Sequence, residues 1–232
     1  MAILKKLLQR ILGRQVDTDW RDVVPWPLQK RLRGERELIV VDVGAFDGDF
    51  TRALSRKFGV AHAVLVEALP RKAEALRAEF HAPQFTVVEC AASDRPGTAE
   101  FQMNGMEETS SMLKIHRDLP EFAALNLGAS STLRVQARTL DEIAAELGEI
   151  DVLKIDVQGA ELHVLRAGQS TLARTRFIWI EVSFKELYEN SATFFDVHAA
   201  LDRAGFGLAD LQAAFRGPRG EMLQGDALFL KK

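Results

Sequence analysis

Short apolar segments alternate with segments of helical periodicity from residue 38 onward, and this alternation constrains the fold more than any other feature. The segment LIVVDV (38–43) is continuously apolar, which is typical of a strand buried on both faces of a parallel sheet. A helical stretch at 50–58 follows it. Strand, helix, strand at this spacing predicts a doubly wound α/β domain. The other predicted strands are 62–67, 85–91, 150–156, 176–182, 206–211 and 227–230, and the other predicted helices are 70–80, 140–148, 160–168 and 193–205.

Two parts of the chain depart from this rhythm. No helix-length segment separates the last two strands, so we expect them to pair as an antiparallel hairpin at the sheet edge. Residues 97–138 are too long for a simple loop and contain two short strand-like segments, 98–103 and 132–137. Long insertions in compact domains commonly form binding loops, so we expect residues 97–138 to form part of a ligand-binding pocket.

The N-terminal segment 1–36 differs in charge from the rest of the chain. It carries nine basic and four acidic residues, whereas the whole chain has a net charge of −3. The acidic remainder argues against general nucleic-acid binding. Residues 2–12 have an apolar stripe opposite basic side chains, which predicts an amphipathic helix. We favour docking of this helix on its own domain, or on a second subunit in a homodimer, over contact with a membrane surface. The predicted domains are therefore this segment and a catalytic domain over 37–232.

Several classes of protein are excluded by composition. Cys90 is the single cysteine, so a disulfide framework or a multi-cysteine zinc site is excluded. The five histidines lack metal-ligand spacing, so no metal site is predicted. No apolar run is long enough to span a bilayer or to serve as a signal peptide, which predicts a soluble cytoplasmic protein.

The first motif that carries chemistry is VDVGAFDGDF (41–50), at the end of the first strand. Gly44 and Gly48 lie in the turn before a helix, where a ligand can approach the backbone closely. Glu67 ends the second strand, where a carboxylate can accept hydrogen bonds from both hydroxyls of a ribose. Together these residues predict a site for an adenosine-containing cofactor.

The residues around the glycine turn favour one cofactor over another. A dinucleotide site needs Gly-x-Gly-x-x-Gly, whereas here Phe46 stands two residues after Gly44 and would crowd a pyrophosphate. Asp42, Asp47 and Asp49 would repel phosphate but can hold an ammonium group. The sequence therefore favours S-adenosylmethionine over NAD.

The second motif is VLKIDVQGAELHVL (152–165), in which Asp156 ends another predicted strand. Asp156 and Glu181, at the ends of two strands, should face the same crevice at the carboxyl edge of the sheet. Both are candidates for a general base, and their order is left open. Lys154 is expected to stabilise a developing oxyanion or to pair with an acid. Trp179 is expected to be a core residue.

These motifs resemble those of the FkbM family of S-adenosylmethionine-dependent methyltransferases. The resemblance covers about residues 38–232 and rests on DVGAFDG, Glu67, AASD (91–94), TLDEI (139–143), KIDVQGAELHVL and DALFLKK. It implies a Rossmann-like class I methyltransferase fold: a mostly parallel seven-stranded sheet with helices on both faces and an antiparallel C-terminal edge strand. The family block usually reads KIDVEGAE, and Gln158 replaces its second acid, which puts a general base at that position in doubt.

The resemblance also implies an activity, which is metal-independent methylation of a hydroxyl oxygen on a sugar or a secondary metabolite. It assigns Asp42, Gly44 and Gly48 to the methionine site, Glu67 to the ribose and Asp94 to the adenine amino group. An NAD(P)-dependent oxidoreductase and a non-catalytic adenosine-binding or scaffold module are the alternatives. The full expected cofactor set is Asp42, Gly44, Ala45, Phe46, Gly48, Glu67, Ala68, Ser93, Asp94 and Asp156, and the expected catalytic set is Asp156, Glu181 and Lys154.

Overall fold

The computed structural model describes residues 23–34, 37–122 and 127–232 of the chain, and the elements below belong to these ranges. The strands are β1 (Glu37–Val43), β2 (Gly59–Glu67), β3 (Phe85–Glu89), β4 (Ala91–Ala92), β5 (Gly97–Asn104), β6 (Ser130–Arg138), β7 (Ile150–Ile155), β8 (Thr175–Ser183), β9 (Phe206–Arg216) and β10 (Met222–Lys231). The helices are α1 (Trp26–Arg31), α2 (Asp49–Lys57), α3 (Pro70–Glu79), α4 (Leu140–Ile143), α5 (Glu161–Arg166), α6 (Gln169–Ala173) and α7 (Phe194–Arg203).

Seven strands form one sheet in the order β3-β2-β1-β7-β8-β10-β9. Strands β3, β2, β1, β7 and β8 are parallel, whereas β10 is antiparallel to both β8 and β9. The predicted fold class is therefore confirmed, including the antiparallel hairpin at the C-terminal edge. Because the chain runs outward from β1 to β3 and then returns to β7, the strand order reverses between β1 and β7. Ligands of open α/β sheets bind at such a reversal.

Helices cover both faces of this sheet, which explains the continuously apolar strands. Successive residues of β1 point to opposite faces: Leu38 and Val40 pack with α1, α2 and α3, while Val41 and Val43 pack with the α4–α7 layer. The two apolar clusters hold the sheet rigidly between the helices, so the strand ends are fixed relative to one another.

Residues 85–91 were expected to form one strand, but they divide between two sheets. Strand β3 ends at Glu89, and after Cys90 the chain enters a second sheet of order β4-β6-β5. In that sheet β4 pairs with β6 in parallel, and β5 pairs with β6 in antiparallel fashion. The two strands predicted within 97–138 correspond to β5 and β6.

The helix predicted over 140–148 is shorter than expected. It begins with a capping box, in which the Thr139 side chain accepts a hydrogen bond from Glu142 N, and it ends at Ile143. The Arg174 guanidinium donates to the carbonyl oxygens of Ala144, at 2.7 Å, and Leu147. A distant side chain therefore supplies hydrogen-bond donors to backbone carbonyls just beyond the end of the shortened helix.

The amphipathic helix predicted at 2–12 lies outside the described residues. The segment that follows it packs on the sheet through Leu28 and Leu32, both fully buried. Within the described ranges, the helices are all too short or too polar to cross a membrane.

Candidate active site

A cavity opens where the strand order reverses, at the carboxyl ends of β1 and β7. The two strand ends touch there, because Asp156 N donates to Val43 O at 3.0 Å. Gly44 follows β1 with φ +77°, and a Cβ atom on it would lie 1.9 Å from the Asp156 carbonyl oxygen. Only glycine allows the two strands to approach this closely.

The cavity collects most of the residues expected from the sequence. Those lining it are Gly44, Ala45, Phe46, Glu67, Ala68, Lys154, Asp156 and Glu181. Asp42, Gly48, Ser93 and Asp94 are not among its lining residues. Three distant parts of the sequence, near 44, 67 and 156, are therefore neighbours at one edge of the sheet.

Glu67 is held rigidly at the end of β2. Its side chain is buried, with Oε2 accepting from Phe46 N at 2.8 Å and Oε1 from Leu69 N at 2.8 Å. Burial raises the pKa of Glu67, while these two N–H groups oppose the rise. A carboxylate has about four lone-pair sites, so each oxygen can still accept from a ligand hydroxyl.

Asp42 lies beneath the cavity rather than in it. It is fully buried, and its Oδ2 accepts from Thr51 Oγ1 at 2.8 Å while Oδ1 lies 3.2 Å from Lys154 Nζ. Lys154 also donates to Gly44 O at 2.6 Å and lies 3.7 Å from Asp156 Oδ2. Asp42 therefore holds Lys154, and Lys154 holds the glycine turn.

Lys154 remains charged in this surrounding. Burial alone would lower its pKa, but the carboxylates of Asp42 and Asp156 raise the pKa above its ordinary value. A permanently protonated ammonium cannot accept a proton, so Lys154 is not a base. It can stabilise negative charge, as the sequence suggested.

Gly48, Ser93 and Asp94 are near the cavity but do not line it. Gly48 precedes α2 with φ +74°, and a Cβ atom there would lie 2.5 Å from the Phe80 ring, so this glycine serves packing. Ser93 and Asp94 follow β4, and the Asp94 carboxylate lies 3.6 Å from Arg95 in an exposed position. At this end Cys90, Ala91 and Ala92 line the cavity instead. The cofactor roles of Gly48, Ser93 and Asp94 stay predictions.

Asp156 and Glu181 are joined through one side chain. Gln158 Nε2 donates to Asp156 Oδ1 at 2.7 Å and to Glu181 Oε2 at 2.9 Å. Gln224 on β10 also donates to Glu181 Oε2, at 3.0 Å. Asp156 and Glu181 therefore face the same crevice, as expected, and both accept hydrogen bonds from Gln158.

Glu181 has an unusual electrostatic environment. Burial, followed by the nearby carboxylates of Asp156, Glu161 and Asp226, raises its pKa well above the ordinary value. Asp226 is directly opposite Glu181 in the β8–β10 pairing, and burial raises the pKa of Asp226 as well. A carboxyl group that holds its proton more tightly is a stronger base once ionised.

Part of the insertion 97–138 reaches the cavity, through Phe101, Glu107, Glu108, Thr109, Ser110, Met112 and Phe122. Glu107 is bound at the surface, with an oxygen 2.6 Å from Arg71 and another 3.6 Å from Lys72. The Arg71 hydrogen bond is the main cause that lowers the pKa of Glu107. Lys72 also pairs with Asp47 at 2.6 Å, so ion pairs link this segment to the glycine turn.

Several lining residues were not predicted, namely Tyr188, Gln212, Ala214, Phe215, Gln224 and Asp226. They lie on the C-terminal hairpin and the loop after β8, and only Asp226 falls within a recognised motif, as the first residue of DALFLKK. The hairpin prediction was the one available signal, because it placed β10 beside β8. Trp179, expected in the core, packs in the core and also lines the cavity.

Glu161 shapes the turn that carries Asp156, and it gives a testable pH dependence. Its Oε1 accepts from Val157 N and Gly159 N, both at 3.1 Å. Burial is the main cause that raises its pKa to about 7. The folded protein thus favours the protonated form of Glu161. This preference contributes its full stability at a pH below the ordinary carboxyl pKa, and the contribution is lost as the pH rises through 7.

We therefore expect Glu161→Gln to gain stability relative to the parent as the pH rises. The difference in free energy of unfolding should shift in favour of the variant by about 1–2 kcal/mol between pH 5 and pH 8. The amide oxygen can still accept both N–H groups. Urea unfolding at the two pH values measures this, with the exposed Glu146→Gln as control. Parallel pH dependence of Glu161→Gln and the parent would contradict the assignment.

Comparison with known proteins places this site in a family. A model of the methyltransferase FkbM domain matches residues 42–208. The 2-O-methyltransferase NoeI of Sinorhizobium fredii is 31% identical over 201 residues, which cover 82% of this chain and 78% of that protein.

Solved structures agree with the fold. Methyltransferase FkbM from Methylobacillus flagellatus superposes with a TM-score of 0.52 at 15% identity over 84% of this chain, which spans 43% of that longer one. A TehB-like S-adenosylmethionine-dependent methyltransferase from Corynebacterium glutamicum gives 0.52 at 12% identity, covering 99% and 95% of the two chains. An S-adenosylmethionine-dependent methyltransferase from Clostridium acetobutylicum gives a TM-score of 0.52 at 8% identity, covering 98% of this chain and 97% of that chain.

Proposed function

The chain belongs to the FkbM methyltransferase family, and we propose that this S-adenosylmethionine-dependent enzyme methylates a hydroxyl oxygen of a small acceptor, a sugar or a secondary metabolite. The observation that carries the proposal is the cavity itself. It places the Glu67 carboxylate at one part and the hydrogen-bonded acids Asp156 and Glu181 at another. The name of the Sinorhizobium relative, a 2-O-methyltransferase, supports oxygen as the acceptor atom.

The residues present fit the cofactor. Glu67 would accept the ribose hydroxyls, since its carboxylate lines the cavity with one protein N–H on each oxygen. Asp47, which also lines the cavity, would attract the methionine ammonium. Phe46 has φ +50° and lies under Lys72, whose Nζ is 3.7 Å from the ring centroid, so the ring has a defined position. S-adenosylmethionine supplies a methyl group on a positively charged sulfur when bound.

Glu67→Ala should weaken binding of S-adenosylhomocysteine by about 2 kcal/mol, or roughly 30-fold in Kd, the scale of lost hydrogen bonds to a charged group. The change also frees Phe46 N and Leu69 N. Calorimetry measures the affinity. Glu89→Ala is the matched control, because Glu89 ends β3 opposite Glu67 but pairs with Arg77 outside the cavity. Equal affinities for the two variants would remove Glu67 from the cofactor site.

We assign the proton-accepting role to Glu181. As the acceptor oxygen bonds to the methyl carbon and the carbon–sulfur bond breaks, the hydroxyl proton passes to a carboxylate. Burial among other acids makes ionised Glu181 the stronger base of the pair. Asp156 is 24% exposed and lies beside Lys154, so it is placed to bind the acceptor or the cofactor ammonium.

The charge of the cavity supports an uncharged acceptor. Among the described residues lining it, Lys154 is the one basic side chain, and the acidic ones are Asp47, Asp49, Glu67, Glu107, Glu108, Asp156, Glu181 and Asp226. A phosphate or carboxylate group on the acceptor would be repelled. A neutral polyhydroxyl compound suits the amide and carboxyl groups better.

The proposed transfer needs no metal ion. Positioning and removal of one proton suffice for an in-line displacement. Asp156 accepts from Gln158 and lies beside Lys154, and Glu181 accepts from Gln158 and Gln224, so the chain's own side chains position both acids. Turnover should therefore be unchanged after treatment with EDTA.

Two experiments test the proposal against its alternatives. Mass spectrometry of the purified protein should find S-adenosylmethionine or S-adenosylhomocysteine carried through purification, whereas NAD would indicate an oxidoreductase. A screen of neutral hydroxylated compounds with labelled S-adenosylmethionine, each beside its phosphorylated counterpart, should give transfer to oxygen in the neutral member. Cofactor binding without transfer to any class of acceptor would favour the non-catalytic module.

A further inference from the structure

Gln158 has a backbone conformation that residues other than glycine rarely adopt. Its φ is +57°, in the left-handed region, and its side chain is buried at 6% exposure. Glycine would occupy this position without strain, as Gly159 does next to it with φ +96°. Strained backbone persists where the surrounding contacts hold it in place, so the contacts of this side chain matter.

The Gln158 amide is fully engaged. Its Nε2 donates to Asp156 Oδ1 at 2.7 Å and to Glu181 Oε2 at 2.9 Å, and its Oε1 accepts from the Tyr188 hydroxyl at 2.9 Å. Carboxylate oxygens on one side accept from Nε2 and the Tyr188 hydroxyl on the other side donates to Oε1, which together fix the amide orientation. Tyr188 OH is also 3.2 Å from Thr109 O, so the same contact reaches the insertion.

The groups facing Glu181 are mostly acidic. Asp156 follows β7, Glu161 begins α5, and Asp226 lies opposite on β10. Lys154 on β7 is the nearby cation, at 3.7 Å from Asp156 Oδ2. The neutral donors on Glu181 Oε2 are Gln158 and Gln224. Donors to the ionised form favour ionisation, and an amide keeps donating at every pH because it does not titrate.

We propose that Gln158 is a positioning residue, which holds the Asp156 and Glu181 carboxyl groups side by side and sets the pH at which Glu181 becomes a competent base. The proposal rests on the proposed function of this cavity. Removal of the amide withdraws one hydrogen-bond donor from Glu181. Replacement of the amide by a carboxylate puts a further negative charge between two existing ones. Both changes should move ionisation of Glu181 to higher pH, and the second should move it further.

The test uses Gln158→Gly, Gln158→Glu and the control Gln169→Glu. Gln158→Gly relieves the left-handed strain, so it should fold even though its side chain is gone. Gln169 is exposed and donates to Leu165 O, away from the cavity. NMR of protein with 13C-labelled glutamate carboxyls follows the titration of Glu181, assigned by the loss of its signal in Glu181→Gln. The single-turnover rate is followed against pH with the acceptor from the screen.

We expect the midpoint of both curves to move to higher pH by about one unit in Gln158→Gly and by more in Gln158→Glu, with no change in Gln169→Glu. A uniform fall in rate with an unchanged midpoint in both variants would mean that Gln158 only supports the structure, and would overturn the proposal. The carboxyl titration needs neither cofactor nor acceptor. If the parent failed to bind S-adenosylhomocysteine, the proposed function would be contradicted. The carboxyl titration would still show whether Gln158 controls the ionisation of Glu181.

Discussion

Glu181→Gln is expected to lower the single-turnover rate of methyl transfer about a thousandfold, within the range of a lost general base. The amide cannot take the hydroxyl proton, whereas its size and its oxygen preserve the contacts with Gln158 and Gln224. Affinity for S-adenosylhomocysteine should stay within about twofold, because Glu181 is not among the residues assigned to cofactor binding. Quench-flow with labelled S-adenosylmethionine and calorimetry measure the two quantities.

Two further variants define what this result means. Glu189→Gln, an exposed change six residues beyond β8, should behave as the parent does. Asp156→Asn should mainly weaken cofactor binding, since Asp156 lies against Gly44 and Lys154 at the strand reversal. A large loss of rate in Asp156→Asn with near-normal rate in Glu181→Gln would reverse the assignment of the base.

Gly44→Ala should destabilise the fold by about 2–5 kcal/mol and abolish measurable cofactor binding. The added Cβ would lie 1.9 Å from Asp156 O, so β1 and β7 must separate at their carboxyl ends. Overpacking in a close-packed interior costs about 1–3 kcal/mol, and left-handed backbone at alanine adds about 1–2 kcal/mol. Urea unfolding and calorimetry with S-adenosylhomocysteine measure the effects.

Gly34→Ala separates the two causes. Gly34 has φ +85°, and a Cβ atom there would meet no atom of the described residues within 4 Å, so this variant carries the conformational cost alone. It should lose about 1–2 kcal/mol and bind the cofactor normally. If Gly44→Ala lost no more than Gly34→Ala, the close approach of β1 to β7 would not be the reason for glycine at the turn.

The predictions from the sequence succeeded where the determinants are local. Apolar runs and periodicity located the seven strands of the main sheet, and the absence of a helix before the last strand indicated the edge hairpin. The ends of parallel strands meet at one edge, so Gly44, Glu67 and Asp156 could be placed together before their contacts were known. The family and its cofactor followed from motifs at those same strand ends and are confirmed by the comparisons.

The predictions fell short where a residue depends on partners far along the chain. Asp42 has the spacing of a cofactor ligand, yet it is buried beneath the cavity, because the side chain of Lys154, 112 residues later, lies between it and the cavity. The predicted helix 140–148 ends at Ile143, and Arg174, 30 residues after Ala144, binds the carbonyls of Ala144 and Leu147 that follow it. Strand 85–91 divides at Cys90 because β6, formed by residues 130–138, provides a pairing partner.

The sequence by itself determined the order of strands and helices, the glycine turn, the acidic strand ends and hence the family and cofactor. These features depend on periodicity and on residue types within a few positions. Only the tertiary structure decided which side chains of the site lie together and which form hydrogen bonds. Asp226 meets Glu181 through antiparallel register, and Tyr188 meets Gln158 through the loop after β8. Such contacts are fixed by packing between distant segments, and so are the pKa values that they control.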